Sequence, residues 1–193
     1  MLLNPFTRRS DPHLLAVSMT GVKMGDRVAF VGCANGGRLA AVASKVGLSG
    51  RAVAIVPDGR AAELARKGAE QLGVLVEIEV APPAELPLDD ANLDLAVVDD
   101  TDNLLGLMRP ERRVASIREL VRILRPGGRV ILVGAAPGAG LGKLFTRVPA
   151  GPLFAASGDA NTALEAEGFG IVRTLAEREG LVFVEGIKPR TKG

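Results

Sequence analysis

The sequence predicts an α/β protein with a doubly wound, mostly parallel sheet and helices on both faces, and three observations lead to this class. Short apolar segments alternate with segments whose apolar residues recur every three or four positions. The first apolar segment runs directly into a loop of small residues and then into a helical pattern. The last two are joined through Arg178-Glu179-Gly180, which predicts an antiparallel hairpin. Near-continuous apolar strands between helices are typical of a parallel sheet covered on both faces.

The individual elements follow from these patterns in chain order. The predicted strands are Arg27–Val31, Ala52–Val56, Val74–Val80, Leu93–Val98, Arg129–Val133, Ile171–Leu175 and Leu181–Ile187. The predicted helices are Gly37–Val46, Arg60–Leu72, Pro110–Leu124 and Asn161–Glu167. The third of these has the clearest apolar stripe; Pro110 suits its first turn, and Pro126-Gly127-Gly128 is expected to end it.

Length and composition limit the classes of protein. We expect one domain over residues 1–193, with an N-terminal segment and helix at 1–21 and a Gly- and Pro-rich connection at 134–158. The net charge of +2 comes from scattered residues, so no nucleic-acid partner is expected. No apolar run reaches the roughly 18 residues of a membrane span, and a cytoplasmic location is expected. One cysteine and one histidine exclude an internal disulfide and a His- or Cys-rich metal site.

Three stretches together resemble a known family. They are the strand and loop from Gly25 to Gly36, the strand Leu93-Asp-Leu-Ala-Val-Val, and the run Ile123-Leu-Arg-Pro-Gly-Gly-Arg-Val-Ile-Leu-Val after a long helix. This arrangement resembles the class I S-adenosylmethionine-dependent methyltransferases over roughly residues 22–188. The resemblance implies a Rossmann-like, seven-stranded sheet in the order 3-2-1-4-5-7-6, S-adenosylmethionine as cofactor, and methyl transfer. A small molecule is the expected acceptor, because no added domain is present to grip a macromolecule.

The loop after the first strand carries the first expected contacts with the cofactor. In the family it has the pattern acid-x-Gly-x-Gly-x-Gly and passes under the methionine and ribose parts. The resemblance therefore implies cofactor contacts from Gly32, Cys33, Ala34, Asn35 and Gly36, of which Cys33 is also expected to pack as a small apolar residue. The alternative is a tight turn that binds no ligand. Phe30 stands at the acid position and Ala34 at the middle glycine.

Two further acids of the family pattern are missing. The ribose-binding acid aligns with Val56, and Asp58 with Gly59 is the nearest substitute, although Pro57-Asp58-Gly59 also reads as a turn with a helix cap. Hydrogen bonds to charged groups contribute about 1.5–3 kcal/mol, so losing this acid alone predicts roughly ten- to a hundredfold weaker binding. Cofactor binding is therefore expected to be weakened or lost.

The acid expected near the adenine aligns with Pro82. The run after it, Ala84-Glu85-Leu86-Pro87-Leu88, matches the family, so Glu85 and the backbone at Leu86 are the remaining groups that could address the adenine. The alternative makes Glu85 a solvated loop residue.

Three aspartates, Asp99, Asp100 and Asp102, follow the fourth strand, at the edge where a reacting methyl group would lie. Asp99 is the candidate for a base or for a group that orients the acceptor. The alternative is a solvated loop in which Asp102 caps the next helix. The cluster also resembles the start of a catechol-type metal site, but Gly134-Ala135-Ala136-Pro137 supplies no further ligands and no metal is expected.

Two functions from different classes stay open at this point. The first is methyl transfer from S-adenosylmethionine to a small molecule. The second is a non-catalytic methyltransferase-like protein that acts as a binding or assembly module. The apolar residues of the connection 134–158 fit either a lid over an acceptor pocket or a surface that forms a homodimer.

Overall fold

The computed structural model describes residues 13–137 and 152–190. Its helices are α1 (Leu14–Thr20), α2 (Gly36–Ala43), α3 (Gly59–Leu72), α4 (Pro110–Ile123) and α5 (Asp159–Ala166). Its strands are β1 (Arg27–Val31), β2 (Arg51–Val56), β3 (Glu77–Val80), β4 (Leu93–Asp100), β5 (Leu124–Ala135), β6 (Ile171–Arg178) and β7 (Leu181–Ile187).

These strands form one seven-stranded sheet in the order β3-β2-β1-β4-β5-β7-β6. Strands β1 to β5 pair in parallel, and β7 pairs antiparallel with both β5 and β6. The hairpin between β6 and β7 turns at Glu179 and Gly180, both with positive φ, as a two-residue turn of the primed type requires. The predicted fold class and strand order are confirmed.

Two apolar layers hold the helices on opposite faces of the sheet. Alternate residues of β1 show the division, because Val28 and Phe30 pack toward α1, α2 and α3, whereas Ala29 and Val31 pack toward α4 and α5. Side chains of a strand point alternately to its two faces, and here both faces are buried. After their first residues, β1 and β2 are therefore apolar throughout.

Several predicted boundaries differ from the structure by one to five residues, and two of them have clear local reasons. The third strand begins at Glu77 and not at Val74, because Gly73 ends α3 in the left-handed region and the Val74 N–H bonds back to the Ala69 carbonyl. Pro126 and the two glycines after it do not separate helix from strand. They lie inside β5, where the register jumps from the Leu93–Leu124 pair to the Leu95–Arg129 pair.

Helices α2 and α3 touch through their backbones. A Cβ atom added to Gly36 would lie 1.9 Å from the Leu64 carbonyl oxygen, and one added to Gly68 would lie 2.1 Å from the Gly36 carbonyl oxygen. Only glycine at both positions allows this separation. Gly36, a residue of the predicted cofactor loop, is thus required by a helix–helix contact whether or not a ligand binds.

A buried carboxylate ties the β-hairpin to α1. The Glu185 side chain, 4% exposed, pairs with the guanidinium groups of Arg129 at 3.2 Å and Arg173 at 2.8 Å. Arg129 also donates to the backbone carbonyls of Thr20 and Gly21, where α1 ends. The ion pairs therefore connect three strands and one helix terminus.

Several predictions concern chain outside the described residues. Residues 1–12 of the N-terminal segment and residues 138–151 of the connection lie there. The single domain over the whole chain, the lid and the homodimer stay predictions. Among residues 13–137 and 152–190, no helix has the length and apolar character needed to cross a bilayer.

Candidate functional site

The candidate site lies at the carboxyl edge of the sheet between β1 and β4. The chain runs outward from β1 through β2 to β3 on one side and through β4 on the other, so the strand order reverses here. In open α/β sheets, ligands bind at such points. Gly32 begins the loop with φ of 79°, and a Cβ there would lie 2.7 Å from Leu104 Cδ2 and 3.0 Å from the Asp99 carbonyl oxygen. The loop thus lies directly against the end of β4.

Asp99, in β4, contacts this loop through one carboxylate oxygen and Arg38 of α2 with Thr101 through the other. Oδ2 accepts from the backbone N–H groups of Ala34 at 3.0 Å and Asn35 at 3.3 Å. Oδ1 accepts from the Arg38 guanidinium at 2.8 Å and from the Thr101 hydroxyl at 2.7 Å and backbone N–H at 3.3 Å. A carboxylate offers about four lone-pair sites, so these five donors occupy the group fully.

The three aspartates differ in their surroundings. Asp99 and Asp100 are buried, so the interpretation of the cluster as a solvated loop is wrong for both. Asp102 is exposed at the rim, where partial desolvation and the Asp99 carboxylate raise its pKa. It does not cap α4, which begins at Pro110 after Arg109. A catalytic role for Asp99 stays a prediction.

The other loop residues have mainly structural contacts. Asn35 caps α2, since its side-chain oxygen accepts from the Arg38 N–H at 3.0 Å. Cys33 packs in the apolar layer below α2, and burial raises the pKa of its thiol to about 12, as does the Asp99 carboxylate to a smaller extent. The Cys33 thiol is therefore protonated and unreactive at neutral pH. Its packing as a small apolar residue is as predicted.

The segment after β4 is fastened to the chain that leads into α5. Asn103, 1% exposed and with φ of 64°, donates from its side chain to the Pro152 carbonyl at 3.1 Å and accepts from the Phe154 N–H at 3.2 Å. Arg113 donates to the Leu105 carbonyl at 2.8 Å, and its guanidinium lies 4.9 Å from the centre of the Phe154 ring. Sequence reasoning missed Asn103 and Arg113. Asparagine's tolerance of positive φ was the one available signal.

Asp100 is expected to make stability depend on pH. Burial raises the pKa of its carboxyl to about 7, against the opposing effect of a hydrogen bond from the Leu105 N–H. The folded state keeps this proton up to about pH 7, whereas the unfolded chain loses it near pH 4, so stability falls as pH rises through that interval. Relative to Asp100→Asn, the wild type should lose about 4 kcal/mol of unfolding free energy over this range.

Urea unfolding of both proteins from about pH 4 to about pH 8 checks this expectation. The exposed carboxylate of Asp89 offers a control, and Asp89→Asn should follow the wild-type curve. Parallel curves for the wild type and Asp100→Asn would contradict it.

The positions aligned with the two missing strand-end acids belong to the core. Phe30 and Val56 are 2% and 0% exposed, and both pack toward α1, α2 and α3. Asp58 caps α3, because its Oδ1 accepts from the Ala61 N–H at 2.8 Å. This geometry matches the cap interpretation, and Oδ2 accepts no hydrogen bond from the described residues. Gly59 follows at the exposed start of α3.

An open groove of about 470 Å³ adjoins the segment after β3. Its lining residues are Pro82, Pro83, Ala84, Met108, Arg109 and Arg112. Glu85 stands beside it, exposed, and pairs with Arg112 at 3.2 Å. The Leu86 N–H donates to Glu119 at 2.7 Å, so it is not free to address an adenine.

No three His, Cys, Asp or Glu side chains converge as metal ligands among residues 13–137 and 152–190.

Comparison with known proteins agrees with this geometry. A family model described as a methyltransferase domain matches residues 28–128. Over 119 residues the chain is 27% identical to the ubiquinone/menaquinone biosynthesis C-methyltransferase UbiE of Pseudomonas fluorescens, covering 61% of this chain and 44% of that protein. Over 135 residues it is 29% identical to a probable cobalt-precorrin-6B C(15)-methyltransferase (decarboxylating) of Saccharolobus solfataricus, covering 66% and 61%. The chain thus spans less than two thirds of the length of these curated relatives.

Among solved structures, a SAM-dependent methyltransferase from Aquifex aeolicus superposes with a TM-score of 0.72 at 18% identity, covering 95% of this chain and 93% of that one. This likeness supports the fold alone. The family match extends over more than half of the chain and includes the loop, β4 and α4. The chain therefore belongs to the methyltransferase domain family, which confirms the resemblance drawn from its sequence and S-adenosylmethionine as the cofactor of that family.

Proposed function

We propose that the protein transfers a methyl group from S-adenosylmethionine to a small molecule. The observation that carries the proposal is the loop Gly32–Gly36, which lies against the end of β4 where the strand order reverses. In a chain of the methyltransferase domain family, this is the position at which a ligand of the carboxyl edge would be held.

The residues present fit S-adenosylmethionine. They would contact its adenosyl part through fewer polar groups than the family pattern provides. The loop Gly32–Gly36 would hold the methionine and ribose parts, and Asp58 would accept a ribose hydroxyl at Oδ2. Pro82 and Pro83 have no backbone N–H, so with Met108 they would hold the adenine through apolar contact. Val56 cannot take the role of the ribose acid, because it is fully buried.

S-adenosylmethionine supplies an electrophilic methyl group on a sulfonium, and its transfer depends chiefly on alignment of donor and acceptor. The chain contributes a rigid edge for that alignment, since Asp99 fixes the loop and Asn103 fixes the segment after β4. Asp102 is the exposed carboxylate of the cluster at this edge. It would orient an acceptor or take its proton, and partial burial with the nearby Asp99 carboxylate raises its pKa above the usual range.

The names of the two curated relatives support a small molecule as acceptor. One protein is named for ubiquinone/menaquinone biosynthesis and the other for a cobalt-precorrin, and both names specify methylation at carbon. The proposal extends this to a carbon acceptor in a small molecule. The absence of a nucleic-acid partner belongs to the same proposal and is supported by the scattered basic residues. A cytoplasmic location is proposed with it.

Asp58 gives the experiment that tests the proposal. Serine caps helices about as well as aspartate, so Asp58→Ser should leave the unfolding free energy within a few tenths of a kcal/mol. It removes the carboxylate, and we expect S-adenosylmethionine and its demethylated product to bind about tenfold to a hundredfold more weakly in calorimetric titration. Asp89→Ser, which changes an exposed carboxylate outside the site, should bind both as the wild type does. No binding to the wild type at millimolar cofactor would overturn the proposal.

A second function has one observation in its favour. All three positions aligned with family acids, Phe30, Val56 and Pro82, lack a carboxylate, and two of them are core residues. This favours a binding or assembly module that has kept the fold without the activity. The same titration separates the two functions, because a module of this kind gives no heat with either ligand.

A further inference from the structure

We infer that Arg38 and Asp99 form a positioning pair, which holds the loop Gly32–Gly36 in the shape that binds the cofactor. The inference rests on the proposed function for its consequence in binding, and on the described contacts for its structural part. It gives Asp99 a role through the loop in place of a role as base.

The hydrogen bonds among the loop, Asp99 and Arg38 form a closed ring. Two successive loop N–H groups, those of Ala34 and Asn35, converge on Oδ2 of Asp99. Arg38 donates from its guanidinium to Oδ1 of the same carboxylate, while its own backbone N–H donates to the Asn35 side chain. The loop, the Asp99 carboxylate and the first turn of α2 therefore hold one another in place. Removing either the Arg38 or the Asp99 side chain breaks this ring of hydrogen bonds.

Because both side chains are largely buried, each of the two charges depends on the other as its partner. The side chains of Arg38 and Asp99 are 13% and 12% exposed. The cavity that they line with Phe30 and Gly32 has a volume of about 20 Å³, enough for one water molecule at most. One water molecule would restore part of the hydrogen bonding and none of the positive charge of the guanidinium, and a buried charge without its partner is strongly unfavourable. Without Arg38, the Asp99 carboxylate loses its positive partner, and we expect its side chain to turn toward solvent and weaken its bonds to the two loop N–H groups.

A positioning role and a catalytic role predict different effects. A base needs a free lone pair that faces the acceptor, whereas five donors already occupy Asp99. If the pair acts through the loop, removing either member should weaken binding of the demethylated cofactor, in which no methyl transfer takes place. If Asp99 is a base, its removal should lower kcat and leave that binding unchanged.

The experiment compares Arg38→Met, Asp99→Asn and the double variant with the wild type. Hydrogen exchange of the Ala34 and Asn35 amides reports the loop in the ligand-free protein, and calorimetry gives the Kd of S-adenosylhomocysteine. We expect each single variant to exchange these amides about tenfold faster and to bind about tenfold more weakly, equivalent to one lost interaction. The double variant should exchange these amides no faster, and bind S-adenosylhomocysteine no more weakly, than the more strongly affected single variant, since the two residues act as one unit.

Two further variants distinguish loss of the Arg38–Asp99 pair from a non-specific effect of removing an arginine. Arg66→Met removes an arginine from the exposed pair with Glu63 at 2.7 Å and should change neither measurement. Arg38→Lys keeps the charge and should recover part of the affinity that Arg38→Met loses. Unchanged exchange at Ala34 and Asn35, additive losses in the double variant, or a loss of kcat alone in Asp99→Asn would each overturn the inference. If the wild type binds no ligand, the proposed function fails, and the exchange rates still decide whether the pair holds the loop.

Discussion

Gly68→Ala is expected to lower the unfolding free energy by about 3 kcal/mol, the upper part of the usual range for an overpacked interior. The added Cβ would lie 2.1 Å from the carbonyl oxygen and 2.3 Å from the carbonyl carbon of Gly36. Both are backbone atoms, so no side chain can rotate away and α2 must separate from α3. This cost exceeds the roughly 1 kcal/mol that alanine gains over glycine inside a helix.

Urea unfolding measures this change, and Gly59→Ala provides a matched control in α3. A Cβ at Gly59 would have no atom within 4 Å, so that variant should be neutral or slightly more stable than the wild type. Equal stability of the two variants would mean that the helices do not approach as closely as described.

Glu185→Ala is expected to cost about 3 kcal/mol, the lower part of the range for breaking a buried ion pair, because Arg129 is partly exposed. The substitution leaves the Arg129 guanidinium without its carboxylate beside the C-terminal end of α1. It also leaves space where the Glu185 side chain was, between β5 and β6. We expect α1 to become less protected from hydrogen exchange than the central strands.

Thermal or urea unfolding checks the magnitude for Glu185→Ala. Glu177, an exposed residue on β6, is the control, and Glu177→Ala should stay within about 0.5 kcal/mol of the wild type. Arg173→Ala should cost at most about 1 kcal/mol, since that arginine is 62% exposed. A loss for Arg173→Ala as large as that for Glu185→Ala would contradict the central role of Arg129.

The secondary structure could be predicted where burial leaves a clear apolar pattern in the sequence. Strand β1 was predicted at its observed residues because all but its first are buried, and α4 because one apolar face packs on the sheet. The start of β3 was not, since a hydrogen bond from Val74 to the end of α3 decides it. Strand order came from the resemblance to a family and not from periodicity, which carries no information on which strands pair.

The candidate site was predictable in position more than in contacts. The loop and the Asp58 cap follow from local sequence, within a few residues. The bonds from Ala34 and Arg38 to Asp99 join residues more than 60 positions apart, so only the tertiary register creates them. Alignment located Phe30 and Val56 at acid positions, but their packing in the core depends on helices that alignment does not place.

The fastening of the chain on both sides of residues 138–151 has a consequence for protein engineering. On one side the Ala136 N–H bonds to the Gly180 carbonyl, and on the other the Phe154 N–H bonds to Asn103. Both hydrogen bonds are made between described residues. A cassette exchanged between Ala136 and Phe154 would leave the donors and acceptors of both hydrogen bonds in the sequence, so these two bonds mark the points at which such a cassette would be joined to the sheet.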